Sequence, residues 1–104
     1  MNLRISDGQL RFRITNDELS NLLQGAVLEV ILLLPTKELH YSIRAEDIVF
    51  PLGIEEHESG FALLVNRKEL ESFSSREAIE HIVKIGEKDL LLVLEVDFRK
   101  SPKK

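Results

Sequence analysis

Two short alternating stretches hold the residues best able to do chemistry. In Leu10-Arg11-Phe12-Arg13-Ile14 every second residue is a guanidinium, and in Leu94-Glu95-Val96-Asp97-Phe98 every second residue is a carboxylate. A period of two puts the charges of each stretch on one face of a β-strand and the apolar residues on the other. If the strands are neighbours, Arg11 and Arg13 face Glu95 and Asp97, and the N- and C-terminal segments close a single antiparallel fold. Two chemistries are open to such a group. On the outer face of a sheet it is a solvated ladder of ion pairs, each contributing about 0 to 1 kcal/mol. Lining a barrel or a concave sheet, the arginines bind phosphate or carboxylate, with Arg4 or Arg44 assisting, and the acids hold a divalent ion.

The remaining polar residues offer less. Glu55-Glu56-His57-Glu58 has the donor types of a metal site, but consecutive residues cannot all point at one ion. No second histidine stands at a helical spacing, so the stretch reads as an acidic loop and no metal site is expected. His40 and His81 are isolated in sequence and read as structural. Ser74 and Ser75 are helix-cap types, and neither a Gly-x-Ser-x-Gly elbow nor a phosphate-cradling glycine loop is present. No catalytic residue and no cofactor are implied.

Composition narrows the classes further. Cysteine is absent, which excludes disulfides, thiolate metal sites and a cysteine nucleophile, and fits a cytoplasmic protein. The net charge is −4, and setting aside the basic Arg99, Lys100, Lys103 and Lys104 leaves −8 on the rest. A surface of that sign repels phosphate backbones, so nucleic acid is not the expected partner. The longest apolar run, Ala26 to Leu34, is broken by Glu29 and is far shorter than the ~20 residues of a membrane helix. The amino-terminal residues lack an apolar core and cleavage site, so no secretory signal is expected.

These residues must be positioned by strands and short helices. Asn2 to Ser6 and Gln9 to Thr15 form a hairpin about Asp7-Gly8. Thr15 and Glu18 have capping-box spacing and start a helix that buries Leu19, Leu22 and Leu23 and stops near Gly25. Ala26 to Leu34 and Leu39 to Ala45 form a second hairpin. Glu46 to Gly60 reads as a long loop around a brief strand near Ile48 to Phe50. Gly60 to Val65 is a strand, and Asn66 with Glu69 starts a second helix reaching about Ser72. Ser74 and Glu77 could begin another helix, but Ile79, His81, Val83 and Ile85 alternate as a strand. Asp89 to Phe98 is the last strand. No residue-level repeat is evident.

Two of these strands are apolar on both faces. If Leu28, Val30, Leu32 and Leu34 fill the core, Val27, Ile31 and Leu33 point the other way. If Leu90, Leu92 and Leu94 face in, Leu91 and Val93 face out. Two short helices supply few apolar side chains to cover that second face, so a partner is expected, and a second copy is the simplest one.

Met1-Asn2-Leu3-Arg4-Ile5, the stretch Leu10 to Thr15 with Glu18-Leu19 behind it, Leu39-His40-Tyr41-Ser42-Ile43 and Leu94 to Phe98 together resemble an uncharacterised family of small bacterial proteins. Its motifs are an Ile-Arg-x-Arg-Leu-Thr start, a Leu-x-Tyr-x-Leu middle strand and an Ile-Glu-Lys-Asp-Phe end. Val96 stands in place of that lysine. The resemblance implies a domain of unknown function and no activity. A charge-lined barrel would also be similar to the tunnel enzymes that act on polyphosphate, but their Glu-x-Glu-x-Lys strand is absent.

The expectation is therefore one α+β domain over residues 1–98 with a basic disordered tail at 99–104. Its sheet is mainly antiparallel, with about six strands, partly closed, and carries two short helices. The leading reading is a non-catalytic cytoplasmic interaction module that forms a homodimer through Val27, Ile31, Leu33, Leu91 and Val93. The alternative is a small-anion binder or hydrolase using Arg11, Arg13, Glu95 and Asp97.

Overall fold

The computed structural model describes residues 1–73 and 78–97. Its first element is the hairpin that Asp7-Gly8 permits. Gly8 adopts φ 74°, open to a residue without Cβ, and strand β1 (Asn2–Ser6) returns as β2 (Gln9–Thr15), with Ser6 opposite Gln9. Thr15 then caps helix α1 (Asn16–Leu23): its hydroxyl accepts from the Glu18 amide at 3.1 Å, and the Glu18 carboxylate accepts from the Thr15 amide at 2.9 Å. The same carboxylate takes the N-terminal ammonium at 2.6 Å. Burial pushes the Glu18 carboxyl up, but hydrogen bonds from the ammonium and the Thr15 amide, with the ammonium's charge, outweigh it and hold the group below its ordinary value.

Beyond Gly25 the chain forms β3 (Leu28–Leu33), β4 (Glu38–Glu46), β5 (Leu52–His57) and β6 (Gly60–Asn66). Asn66 caps α2 (Arg67–Glu71), and β7 (Ala78–Ile85) and β8 (Lys88–Asp97) complete the order. The strands make two four-stranded sheets, β1-β2-β8-β7 and β3-β4-β6-β5, and no closed barrel.

Three expectations change here. There are eight strands, not about six, and Glu46 to Gly60 is no long loop: its strand is Leu52 to His57, not Ile48 to Phe50, and it pairs with β6 as a hairpin, so Glu55, Glu56 and His57 belong to a strand. The sheets are mixed and not mainly antiparallel, since β2 runs parallel to β8 and β4 parallel to β6. Parallel neighbours need a long crossover, but it need not be a helix. Between β4 and β6 the crossover is the following loop plus β5 itself, and between β2 and β8 it is most of the chain. Arg11 and Arg13 do lie beside Glu95 and Asp97, as neighbours running the same way. The helix option at Ser74 to Glu77 and the tail at 99–104 fall outside the described residues.

Without a residue-level repeat in the sequence, the strands nevertheless repeat in structure. Asn2 pairs with Arg13 and Gly53 with Leu64; Leu28 pairs with Ile43 and Ile79 with Leu94. Gln9 lies beside Leu91, and Gly60 beside His40. Each correspondence is a displacement of 51 residues, without insertion. The chain is two copies of hairpin–helix–hairpin related by a pseudo-two-fold, and each sheet takes one hairpin from each copy. Even the bonds beyond the ladders repeat: His40 N donates to Ser59 O at 2.7 Å, and Leu91 N to Gly8 O at 2.9 Å.

The core lies between the sheets. Phe12, Ile14, Leu92 and Leu94 of one sheet meet Ile43, Leu52, Leu63 and Val65 of the other, with Leu19, Leu22, Leu70 and Phe73 from the helical turns in the same cluster. The helices therefore fill one end of the sandwich and leave the outer sheet faces uncovered. One seam between the sheets is drawn in: β5 packs against β7, and the Phe50 ring stacks on His81 at 4.9 Å. The pseudo-equivalent seam, between β1 and β3, makes less contact, and the inward-pointing Ile5 and Leu32 are exposed there.

Candidate functional site

The first candidate is the outer face of the β1-β2-β8-β7 sheet. Because Phe12 and Ile14 are drawn into the core, Arg11 and Arg13 must point outward, and the parallel pairing of β2 with β8 brings Glu95 and Asp97 to the same face. Arg11 Nη1 donates to Glu95 Oε2 at 2.7 Å. With its amide oxygen turned toward the guanidinium, Gln9 accepts from Arg11 Nε and Nη2, each at 3.1 Å. Arg13 stands 3.8 Å from Asp97, too long for a firm bond. Arg4 lies directly opposite Arg11 on β1 and makes no ion pair or hydrogen bond among the described residues. Asn2, Arg4, Arg11, Arg13 and Glu95 line a shallow depression of about 40 Å³. These charges face outward, away from the core, so the geometry of a charge-lined barrel is not present.

Asn2 and Gln9 are members of this group that the sequence reading did not pick out. The two-residue turn at Asp7-Gly8 contained the signal: it fixes Arg4 opposite Arg11 and Asn2 opposite Arg13.

The same face of the other sheet is neutralised from within. Arg44, which sits where Glu95 sits in the first sheet, donates to Glu46 at 2.6 Å and to Glu55 at 3.0 and 3.1 Å. The hydrogen bonds to Glu46 and then Glu55 raise its pKa above the ordinary guanidinium value, against the opposing effect of burial. Arg44 therefore does not assist Arg11 and Arg13; it belongs to the other sheet. His40 lies 3.0 Å from Glu38 and 3.6 Å from Glu29, and His57 lies 3.1 Å from Glu55. Among the described residues no group of three or more His, Asp or Glu is arranged to hold a metal ion.

The second candidate is β3, an edge strand. Val27, Ile31 and Leu33 are 55%, 49% and 72% exposed, and no helix covers them. Leu91 is half-buried on the central strand β8, and Val93 beside it is 0% exposed, flanked in register by Arg11 and Glu80. The five apolar residues thus divide: three lie at the β3 edge and two on the other sheet. The Leu34 N to Lys37 O bond fixes the hydrogen-bonding phase of the hairpin. By alternation the even-numbered residues of β3 bond to β4, and the backbone groups of Glu29, Ile31 and Leu33 point out from the edge.

No helix among the described residues is long and apolar enough to cross a membrane. No curated protein and no solved structure matches the chain. A family model does: over residues 1–101 the chain matches, and so belongs to, a family of unknown function, DUF7009.

Proposed function

We propose that this protein is a non-catalytic interaction module that self-associates by pairing β3 of one copy with β3 of a second. The observation that carries this reading is the bareness of that edge. Sheet edges are normally protected by charge, proline or glycine, because their open backbone groups recruit other strands. Arg4 lies on β1, Glu80 and Lys84 lie on β7, and Gly53, Glu55 and Glu56 lie on β5. On β3 Glu29 is the only charge, and the row it shares holds the exposed Ile31 and Leu33; β1 also has a single charge, Arg4, but its outward row, Asn2, Arg4 and Ser6, is polar throughout.

Antiparallel pairing about a two-fold through Ile31 matches the outward backbone groups of Ile31 with their own copies, and those of Glu29 with Leu33 of the second copy. It keeps the two Glu29 carboxylates apart. It also sets Ile31 against its own copy and leaves Leu33, opposite Glu29, diagonal to Val27 and Ile31 of the second copy. Joining two four-stranded sheets this way gives one continuous eight-stranded sheet, an isologous arrangement that closes on itself.

Sedimentation equilibrium of the parent and of Ile31→Glu and Leu33→Lys tests the reading. The parent sediments as a dimer, and both variants as folded monomers with unchanged far-UV circular dichroism. A parent that is monomeric at the highest soluble concentration refutes it. Val93→Lys is no substitute probe, since a lysine there enters a site with no exposed surface.

A further inference from the structure

Independently of the β3 edge, the arginine-lined depression on the first sheet carries an inference of its own. We propose that Arg4, Arg11, Arg13 and the Asn2 amide form a binding site for a small phosphate-type oxyanion.

Three observations support it. Arg4 and Arg11 are directly opposite one another across β1 and β2, an arrangement that repels in an empty site. Glu95 relieves Arg11 alone, Arg13 is only loosely held by Asp97, and Arg4 makes no ion pair among the described residues. The depression is lined by three guanidinium groups and the Glu95 carboxylate, and with Asp97 3.8 Å from Arg13 the group still keeps one positive charge in excess. That surplus is specific to this sheet. At the pseudo-equivalent positions of the other sheet Arg4, Arg11 and Arg13 become Glu55, Ala62 and Leu64, and the one cation there, Arg44, is shared between two carboxylates. The fold does not require three arginines, since it forms the same strand rows without them.

The size of the depression selects the ligand class. About 40 Å³ holds a few water-sized centres, which suits one tetrahedral oxyanion, whereas nucleotide-sized ligands need several hundred Å³. Three guanidinium groups from two strands also offer more donors than one planar carboxylate can accept, and match the several oxygens of a phosphate. Because the depression is open to solvent, the phosphoryl group can be free or the terminus of a small molecule.

Thermal unfolding of the parent, Arg4→Gln, Arg13→Gln and Arg67→Gln, in inorganic phosphate, in O-phosphoserine and in chloride of matched ionic strength, tests this. Phosphate raises the midpoint of the parent and of Arg67→Gln, whose arginine pairs with Asp47 away from the depression. In Arg4→Gln and Arg13→Gln the apparent affinity drops about fivefold or more. Arg4→Gln also melts higher than the parent without anion, because its repulsion with Arg11 is gone. A larger shift with O-phosphoserine than with phosphate assigns a carried phosphoryl group, and the reverse assigns the free ion. Equal shifts in chloride and phosphate, or a full phosphate response in Arg4→Gln and Arg13→Gln, overturn the proposal.

Discussion

Replacing Gly60 by alanine should unfold this protein or come close to it. Gly60 opens β6, beside His40 on the parallel strand β4. A Cβ built there lies 1.6 Å from the His40 carbonyl oxygen, 2.7 Å from its carbon and 3.0 Å from its nitrogen, all backbone atoms that cannot rotate away. A carbon and a carbonyl oxygen approach no closer than about 3.3 Å, so the strands must separate locally by about 1.5 Å or more. That breaks two or three ladder hydrogen bonds at about 1 kcal/mol each and leaves strand groups unpaired at about 1 to 3 kcal/mol apiece. The loss is about 4 kcal/mol or greater, against a total of about 5 to 15 for a domain of this size. Gly86→Ala is the control, because it lies at φ 63° with nothing within 4 Å of an added Cβ. It loses only the left-handed preference, about 1 kcal/mol. Urea unfolding followed by far-UV circular dichroism measures both. A Gly60→Ala variant within about 1 kcal/mol of Gly86→Ala would refute the parallel β4–β6 pairing in this register.

Other expectations are as direct. Thr15→Ala removes one cap bond and lowers stability by about 1 kcal/mol. Asn66→Ala should cost more in the same urea experiment, because Asn66 accepts from the Lys68 and Glu69 amides and also donates to Ile48 O at 2.7 Å. Glu18 has a folded-state pKa below its ordinary value, so its contribution is complete above the unfolded carboxylate range near ~4.3 and is lost as pH falls through the lower folded value. Stability measured between neutral pH and pH 3 should therefore fall less steeply for Glu18→Gln than for the parent, and parallel acid limbs would contradict this. Separating the chain at Val49, which is 91% exposed between β4 and β5, should give two halves that are each unfolded by circular dichroism and gain sheet signal when mixed.

Local features were legible in the sequence because local residues dictate them. Asp7-Gly8 turns the first hairpin, and Thr15 with Glu18 and Asn66 with Glu69 mark both helix starts within a residue. Alternating charge also identified Arg11 and Glu95 as neighbours across 84 positions. The direction of that pairing was not legible, because a complementary stripe has the same appearance in either orientation. β5 was obscured by Gly53 and by Glu55, Glu56 and His57, which are poor strand formers held in place by pairing with Gly60 to Leu64 of β6. The internal repeat was hidden for a different reason. Glu18-Leu19 recurs as Glu69-Leu70 and Leu39 as Leu90, but most corresponding positions keep only their inward or outward sense. Within the candidate site, Asn2 and Gln9 carry no charge and so gave no signal without the register.

The pseudo-two-fold separates what the fold needs from what the surface carries. A requirement of folding acts alike on both halves: inward positions stay apolar, as Phe12 and Leu63 or Ile14 and Val65 do, and both helix caps persist as Thr15 and Asn66. Where the halves diverge in charge, folding does not demand the residue. Leu33 on the β3 edge corresponds to Lys84 on the β7 edge, so the fold tolerates a lysine where β3 keeps a leucine 72% exposed. Arg4 corresponds to Glu55, so it equally tolerates an acid where the first sheet places two arginines face to face. In both places the residue present is the less comfortable one for an isolated chain in water: an exposed leucine instead of a lysine, a repelling arginine instead of a neutralising glutamate. A strand laid against β3 and an anion set between the arginines each remove one of those penalties, and neither penalty exists at the counterparts Lys84 and Glu55.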